Sequence, residues 1–175
     1  MEFSKHAIGR LLGSGQRAEV YEYGELALKL YQPGASKGAA FREAANLAIL
    51  EALSLPTPAV YAVGECDGRW GVAMDRAPDQ RFADRMTPTE TASTLEAMAG
   101  LHRRIHERQG HGLPSLKARL SANIRRADAL DATARARLLR QLEVLPDGDR
   151  VCHGLGEAAA FAVRIAGRPS ACFSR

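Results

Sequence analysis

Between Ile8 and Leu30 the chain is a run of strand-forming residues punctuated by Gly13, Gly15 and Gly24, and this segment constrains the fold more than any other. Glycines between short apolar runs take tight turns, so the segment reads as two or three antiparallel strands in a meander. A helix is predicted from about Ala40 to Ser54, because Pro56 and Pro58 cannot continue one. Two further apolar runs, Ala59–Glu65 and Trp70–Asp75, flank Cys66-Asp67-Gly68-Arg69, where Asp-Gly marks a hairpin turn. The expected N-terminal part is a five-stranded antiparallel sheet with one helix.

After Pro78 the pattern becomes helical. Thr87-Pro88-Thr89-Glu90 carries an N-cap threonine, a proline at the first helical position and a capping-box glutamate, and predicts a helix starting there. Leu95, Met98, His102 and Ile105 continue it at helical spacing. Leu116, Leu120 and Ile124 repeat the pattern, and Asp131 is placed to cap a helix carrying Leu138, Leu142 and Leu145. The fold class is therefore α+β.

Composition limits the partners. With 46% hydrophobic and 25% charged residues the chain of 175 residues suits a soluble globular protein. No apolar run reaches the roughly 18 residues of a membrane span, and none forms a signal segment, so no membrane partner and a cytoplasmic location are expected. The net charge of +4 is concentrated, with ten Lys or Arg against four acids from Leu101 to Leu145. Aromatic residues for base stacking are missing there, which favours solvated helix faces over a nucleic-acid surface. Cys66, Cys152 and Cys172 match no disulfide framework and are expected to be reduced, with Cys152 a buried structural thiol. His102 and His106 stand four apart on a helix, but no third ligand stands at suggestive spacing, so a packing role is expected and no metal.

The chemistry concentrates in an ordered set. Gly13-Ser14-Gly15-Gln16-Arg17-Ala18-Glu19-Val20 is a glycine-rich turn between two strands, where backbone N–H groups can approach phosphates without a Cβ in the way. Val20 at the start of the next strand can cover an adenine ring. Ala27-Leu28-Lys29 then puts a lysine on the following strand as a point charge for phosphates, and such a lysine needs a carboxylate to hold it. Glu43 supplies one, on a helix face it shares with Leu47 and Leu50. Each feature alone has a bland explanation, but loop, strand lysine and helix glutamate in this order point to a kinase-type nucleotide site.

Together with Arg42-Glu43-Ala44, Met74-Asp75-Arg76-Ala77-Pro78 and Leu101-His102-Arg103-Arg104-Ile105-His106, these residues give the chain a resemblance to the aminoglycoside phosphotransferase and choline kinase-like group of the protein-kinase-like fold. The resemblance runs from about Ile8 to Gly154. It implies a nucleotide-binding small lobe and hinge over 1–77, a partial helical large lobe over 78–154, and a tail over 155–175 that departs from the family pattern. It implies ATP as cofactor, Mg²⁺ only as the nucleotide brings it, and Gly13, Ser14, Gly15, Gln16, Ala18, Val20, Lys29 and Glu43 as its contacts. Met74, Asp75, Arg76 and Ala77 resemble an interlobe hinge whose backbone groups meet adenine.

The catalytic-loop pattern H-G-D-x-x-x-x-N of that family is matched by His153 and Gly154 and then fails: Leu155 stands at the aspartate position and Ala160 at the asparagine position. Neither can orient an acceptor hydroxyl or ligate Mg²⁺. After His153 the one carboxylate is Glu157, and Gly167-Arg168-Pro169 resembles a turn after which no acid follows. The resemblance thus implies an ATP-binding protein with no intact catalytic residues, consistent with a C-terminally truncated or frameshifted product. The acceptor is not readable. Two alternatives stay open, an active small-molecule kinase completed in trans and a non-enzymatic interaction module using the basic helices. Uncovered apolar faces at Leu116, Leu120, Ile124, Leu138 and Leu142 lead to an expectation of self-association.

Overall fold

The structure is a computed structural model that describes residues 1–77 and 86–152. It contains two compact units, one within Met1–Arg104 and one spanning Ile105–Cys152. In the first, strands β1 (Ile8–Ser14), β2 (Ala18–Tyr23), β3 (Leu26–Tyr31), β4 (Val60–Cys66) and β5 (Arg69–Asp75) form one antiparallel sheet of order β1-β2-β3-β5-β4. Both hairpin turns use positive φ: Gly24 lies at 59° between β2 and β3, and Asp67 and Gly68 lie at 49° and 74° between β4 and β5. Two successive left-handed residues make the turn whose twist suits paired strands, and Asp-Gly tolerates them.

Helix α1 (Lys37–Ala52) packs on β4 and β5. Its contact side is made of alanines, which favour helix and occupy little room. Ala40 is fully buried with Ala18, Tyr31 and Val72, and Ala39 and Ala44 pack around them. The helix spans 37–52 where the sequence pattern suggests about 40–54, because it closes before the prolines are reached. Leu55 N–H bonds to Leu50 O at 3.1 Å and Ser54 N–H to Glu51 O at 2.9 Å, with Ser54 at φ 56°. This is a Schellman closure with serine in the place glycine usually takes, and Leu55 is buried behind it.

The opposite sheet face buries Phe3, Leu28, Leu30, Cys66 and Ala73. Pairing sets Leu30, Gly71 and Gly64 in one row across β3, β5 and β4. The glycines make room: a Cβ at Gly71 would lie 2.7 Å from Leu30 Cδ2 and 2.9 Å from Lys29 O, and one at Gly64 would lie 2.6 Å from Met1 O. The N-terminus uses that space. Phe3 N–H bonds to Glu65 O at 2.7 Å and Glu65 N–H to Met1 O at 3.0 Å, covering the edge of β4.

Helix α2 is Thr91–His106, beginning later than the capping pattern at Thr87 suggests. Residues 88–90 form a turn in which the Thr87 carbonyl accepts from Glu90 N–H at 3.1 Å and Thr91 N–H at 2.9 Å. The local signal marks this preceding turn. In the second unit, α3 (Leu116–Arg126) and α4 (Ala132–Val144) pack together. Ser115 caps α3 by accepting from Ala118 N–H at 3.1 Å, and Asp131 caps α4 by accepting from Ala134 N–H at 2.7 Å. Lys117 reaches from α3 to the C-terminal end of α4, donating to Glu143 O at 2.7 Å and Leu145 O at 2.8 Å. Leu116 and Leu120 are exposed, whereas Ile124, Leu138 and Leu142 are half-buried. Cys152 is exposed, which corrects its reading as a buried thiol: Val151, one residue earlier, takes the inward position. Among the described residues no helix is long and apolar enough to cross a membrane.

Candidate functional site

Strand register sorts the side chains. Val20 pairs with Lys29 and Lys29 with Val72, while Glu22 pairs with Ala27 and Ala27 with Met74. Directly opposed residues share a face. Val20, Ala27, Lys29 and Met74 therefore line the same side as Val72, the side on which α1 packs. Ala27 is buried and small between Glu22 and Met74.

Across this face Lys29 meets Glu43 of α1. Its ammonium lies 2.7 Å from Glu43 Oε1 and 2.9 Å from Oε2, with the two side chains 27% and 29% exposed. The pair is reachable from solvent yet partly screened from it. Tyr31, two residues along β3 and on the same face, donates its hydroxyl to Glu43 Oε2, and its ring centre lies 5.5 Å from Lys29 Nζ. Burial and the Glu43 carboxylate push the Tyr31 hydroxyl well above the usual tyrosine range, so it stays a donor. Arg69 braces the end of β3 from beside it, donating to Tyr31 O at 2.8 Å and Leu30 O at 3.2 Å. The same guanidinium holds Glu19 Oε2 at 2.7 Å, and this bond, with a second from the Tyr21 hydroxyl, draws the Glu19 carboxyl below its ordinary range.

The glycine-rich turn joins β1 and β2. Gly13, Ser14, Gly15 and Gln16 are exposed, and Gly15 N–H bonds across the turn to Ala18 O at 2.9 Å. A Cβ on Gly13 would meet nothing within 4 Å, and its φ is not positive, so neither packing nor backbone conformation calls for glycine there. Ala18 is buried, turned into the cluster of Tyr31, Ala40 and Val72.

At the end of β5, Asp75 is engaged within the sheet. Its N–H bonds to Ala59 O at 2.9 Å, and its carboxylate accepts from Ala59 N–H at 3.0 Å and the Tyr61 hydroxyl at 2.8 Å. Arg76 contacts Glu22 at 2.9 Å, and Ala77 is half-buried. His153, Gly154, Leu155, Glu157 and Ala160 lie outside the described residues. Among the described residues no group of three or more His, Cys, Asp or Glu could hold a metal ion, His102 and His106 included.

A strand lysine is held by a helix glutamate, beside a glycine turn between the first two strands of the sheet. The family described as the phosphotransferase enzyme family matches residues 9–169. The chain belongs to the phosphotransferase enzyme family. A crystal structure of an aminoglycoside-3'-phosphotransferase of type VIII is similar to this phosphotransferase-family chain, with a TM-score of 0.52 at 23% sequence identity. The likeness covers 81% of this chain and 59% of that one, so the chain spans less than two thirds of the solved structure. At that identity the likeness establishes the kinase-like α+β fold. No curated protein matches this phosphotransferase-family sequence.

Sequence reasoning passes over Tyr31 and Glu22. Tyr31 was within reach of it: residues two apart on a strand share a face, so Tyr31 had to stand beside Lys29. The Glu22 contact with Arg76 depends on how the chain returns after β5, which local spacing does not encode.

Proposed function

We propose that this phosphotransferase-family chain binds ATP on the α1 side of its sheet and does not transfer the phosphoryl group. The observation that supports the binding reading best is the Lys29–Glu43 pair, held at 2.7 and 2.9 Å on the same face as Val20, Ala27 and Met74. Lys29 holds negative phosphate oxygens, and Glu43 fixes its direction. The exposed backbone of Gly13 to Gly15 closes over the phosphates, where a Cβ at Gly13 would intrude on the ligand and on no part of the protein. Val20 and Ala27 give adenine an apolar wall. Because the Asp75 N–H is already bonded to Ala59, the donor for the adenine edge falls to the Arg76–Ala77 backbone.

Bound Mg·ATP supplies the transferable phosphoryl group and the charge that neutralises it. The chain's own share of the transfer is what it lacks by family resemblance: Leu155 has no lone pair for the acceptor proton, and Ala160 cannot ligate the metal. Loss of general-base assistance alone costs about 10²- to 10⁴-fold in rate. The test is twofold. Mg·ATP should raise the unfolding midpoint of the purified chain, since a ligand of the folded state stabilises it. No phosphate should pass to a panel of small hydroxyl compounds. No midpoint shift at millimolar Mg·ATP rejects the binding reading, and Mg²⁺-dependent phosphorylation that disappears on Lys29→Ala rejects the inactive one.

A further inference from the structure

Tyr31 is the residue beside the Lys29–Glu43 pair to which no role has yet been given. In the free protein the Glu43 carboxylate accepts Lys29 on both oxygens and the Tyr31 hydroxyl on Oε2. Oε2 thus has two donors and Oε1 one. An ammonium has three N–H groups, and two of them are spent on Glu43. To donate more than one N–H to an anionic ligand, Lys29 must give up one carboxylate oxygen. If Lys29 were the sole donor to that oxygen, the released lone pairs would sit unsatisfied in a partly buried carboxylate, which is costly.

We propose that Tyr31 is a positioning residue for the nucleotide site: its hydroxyl keeps Glu43 Oε2 satisfied, so Lys29 can hold Oε1 alone and present its remaining N–H groups to phosphate. Three features suit it to this. The ring is buried against Ala18, Ala40 and Val72, which fixes where the hydroxyl points. Its carbonyl is held by the Arg69 guanidinium at 2.8 Å, which ties the end of β3 to the start of β5. Its hydroxyl is held in the protonated, donating form, because burial and the same carboxylate disfavour tyrosinate. The role rests on the ATP-binding reading above and assigns within it a residue that acts through Glu43.

The experiment is calorimetric titration of Mg·ATP into the native chain, Tyr31→Phe, Glu43→Gln and the double variant, with the unfolding midpoint of each measured alongside. Phe keeps the ring and its packing and removes only the donor. Tyr31→Phe is expected to weaken Mg·ATP about fivefold, in keeping with one hydrogen bond to a charged group shared between two states, and to do so by less than about twofold when Glu43 is already Gln. A purely structural tyrosine would lower the midpoint without this dependence on Glu43. Unchanged affinity in Tyr31→Phe, or equal losses with and without the Glu43 carboxylate, overturns the role while leaving the ATP site standing. A native chain that binds no Mg·ATP overturns the site itself and this role with it.

Discussion

The Glu22 carboxylate on β2 holds Arg76, just past β5, at 2.9 Å, and takes Arg10 of β1 on the same oxygen at 3.0 Å. One acid thereby connects the strands that flank the glycine turn to the segment following the last strand. Gly9 accommodates it, since a Cβ there would come within 3.1 Å of Glu22 Cβ. Glu22 and Arg76 are 26% and 27% exposed, so the pair is screened by solvent and contributes modestly. Glu22→Gln should lower stability by up to about 1 kcal/mol in low salt, with the difference shrinking at high salt. Urea unfolding at two ionic strengths measures both, and a salt-independent loss would show that packing of the Glu22 side chain, not its charge, is what matters.

Ser54 carries the backbone conformation for which glycine is suited. Its left-handed φ of 56° costs an L-residue roughly 1–2 kcal/mol, partly offset by the freedom glycine would regain in the unfolded chain. Ser54→Gly should therefore stabilise the first unit by about 0.5–1 kcal/mol, and Ser54→Val should destabilise it. Equal unfolding midpoints for all three would remove the Schellman closure from the account of where α1 ends.

Gly71 and Gly13 should respond oppositely to alanine. At Gly71 the new Cβ would press on Lys29 O at 2.9 Å and Leu30 Cδ2 at 2.7 Å, and overpacking of this kind costs about 1–3 kcal/mol. At Gly13 the Cβ would meet no protein atom within 4 Å, so stability should hold to within about 0.5 kcal/mol while Mg·ATP affinity falls. Paired denaturation and binding measurements separate the two, and a Gly13→Ala chain that binds as tightly as the native one contradicts the loop's role.

Acid should act through Glu19. Its carboxyl is drawn below its ordinary value of 4.5 by Arg69 first and Tyr21 second. A depressed folded-state value means that the stability it contributes is fully present above the unfolded value and drains away as pH falls through the folded one. Glu19→Gln should thus be less stable than the native chain at neutral pH, with the gap closing as acid protonates the Glu19 carboxyl of the folded chain. A stability gap that persists in acid would show that the bond from Arg69 matters for geometry and not for charge.

Much of this architecture is legible where one local rule decides. Asp67-Gly68 announces the β4–β5 hairpin because few residues tolerate two left-handed positions, and Asp131 announces α4 because its carboxylate can reach Ala134 N–H. The meeting of Lys29 and Glu43 follows from strand alternation and helix facing. What stayed hidden depends on chain returning to chain. Gly64 and Gly71 look like interruptions of two strands until register sets them against Leu30 and the N-terminal segment. Cys152 sits in a pattern that reads as a buried strand, but which of two neighbours faces inward is a matter of register, and Val151 takes that place. The early start suggested by Thr87 fails because a capping pattern also suits the isolated turn before α2.

The central claim is that Lys29, held by Glu43, grips a nucleotide, and calorimetric titration of Mg·ATP into the native chain and Lys29→Ala tests it most directly. Removing a charge-assisted contact to phosphate should weaken binding by about tenfold or more, with the unfolding midpoint in the absence of ligand lowered only modestly, because Glu43 Oε1 loses its Lys29 donor in a carboxylate that is 29% exposed. Saturable binding by the native chain and its loss in Lys29→Ala is the predicted result. Equal affinity in the two proteins would contradict the account.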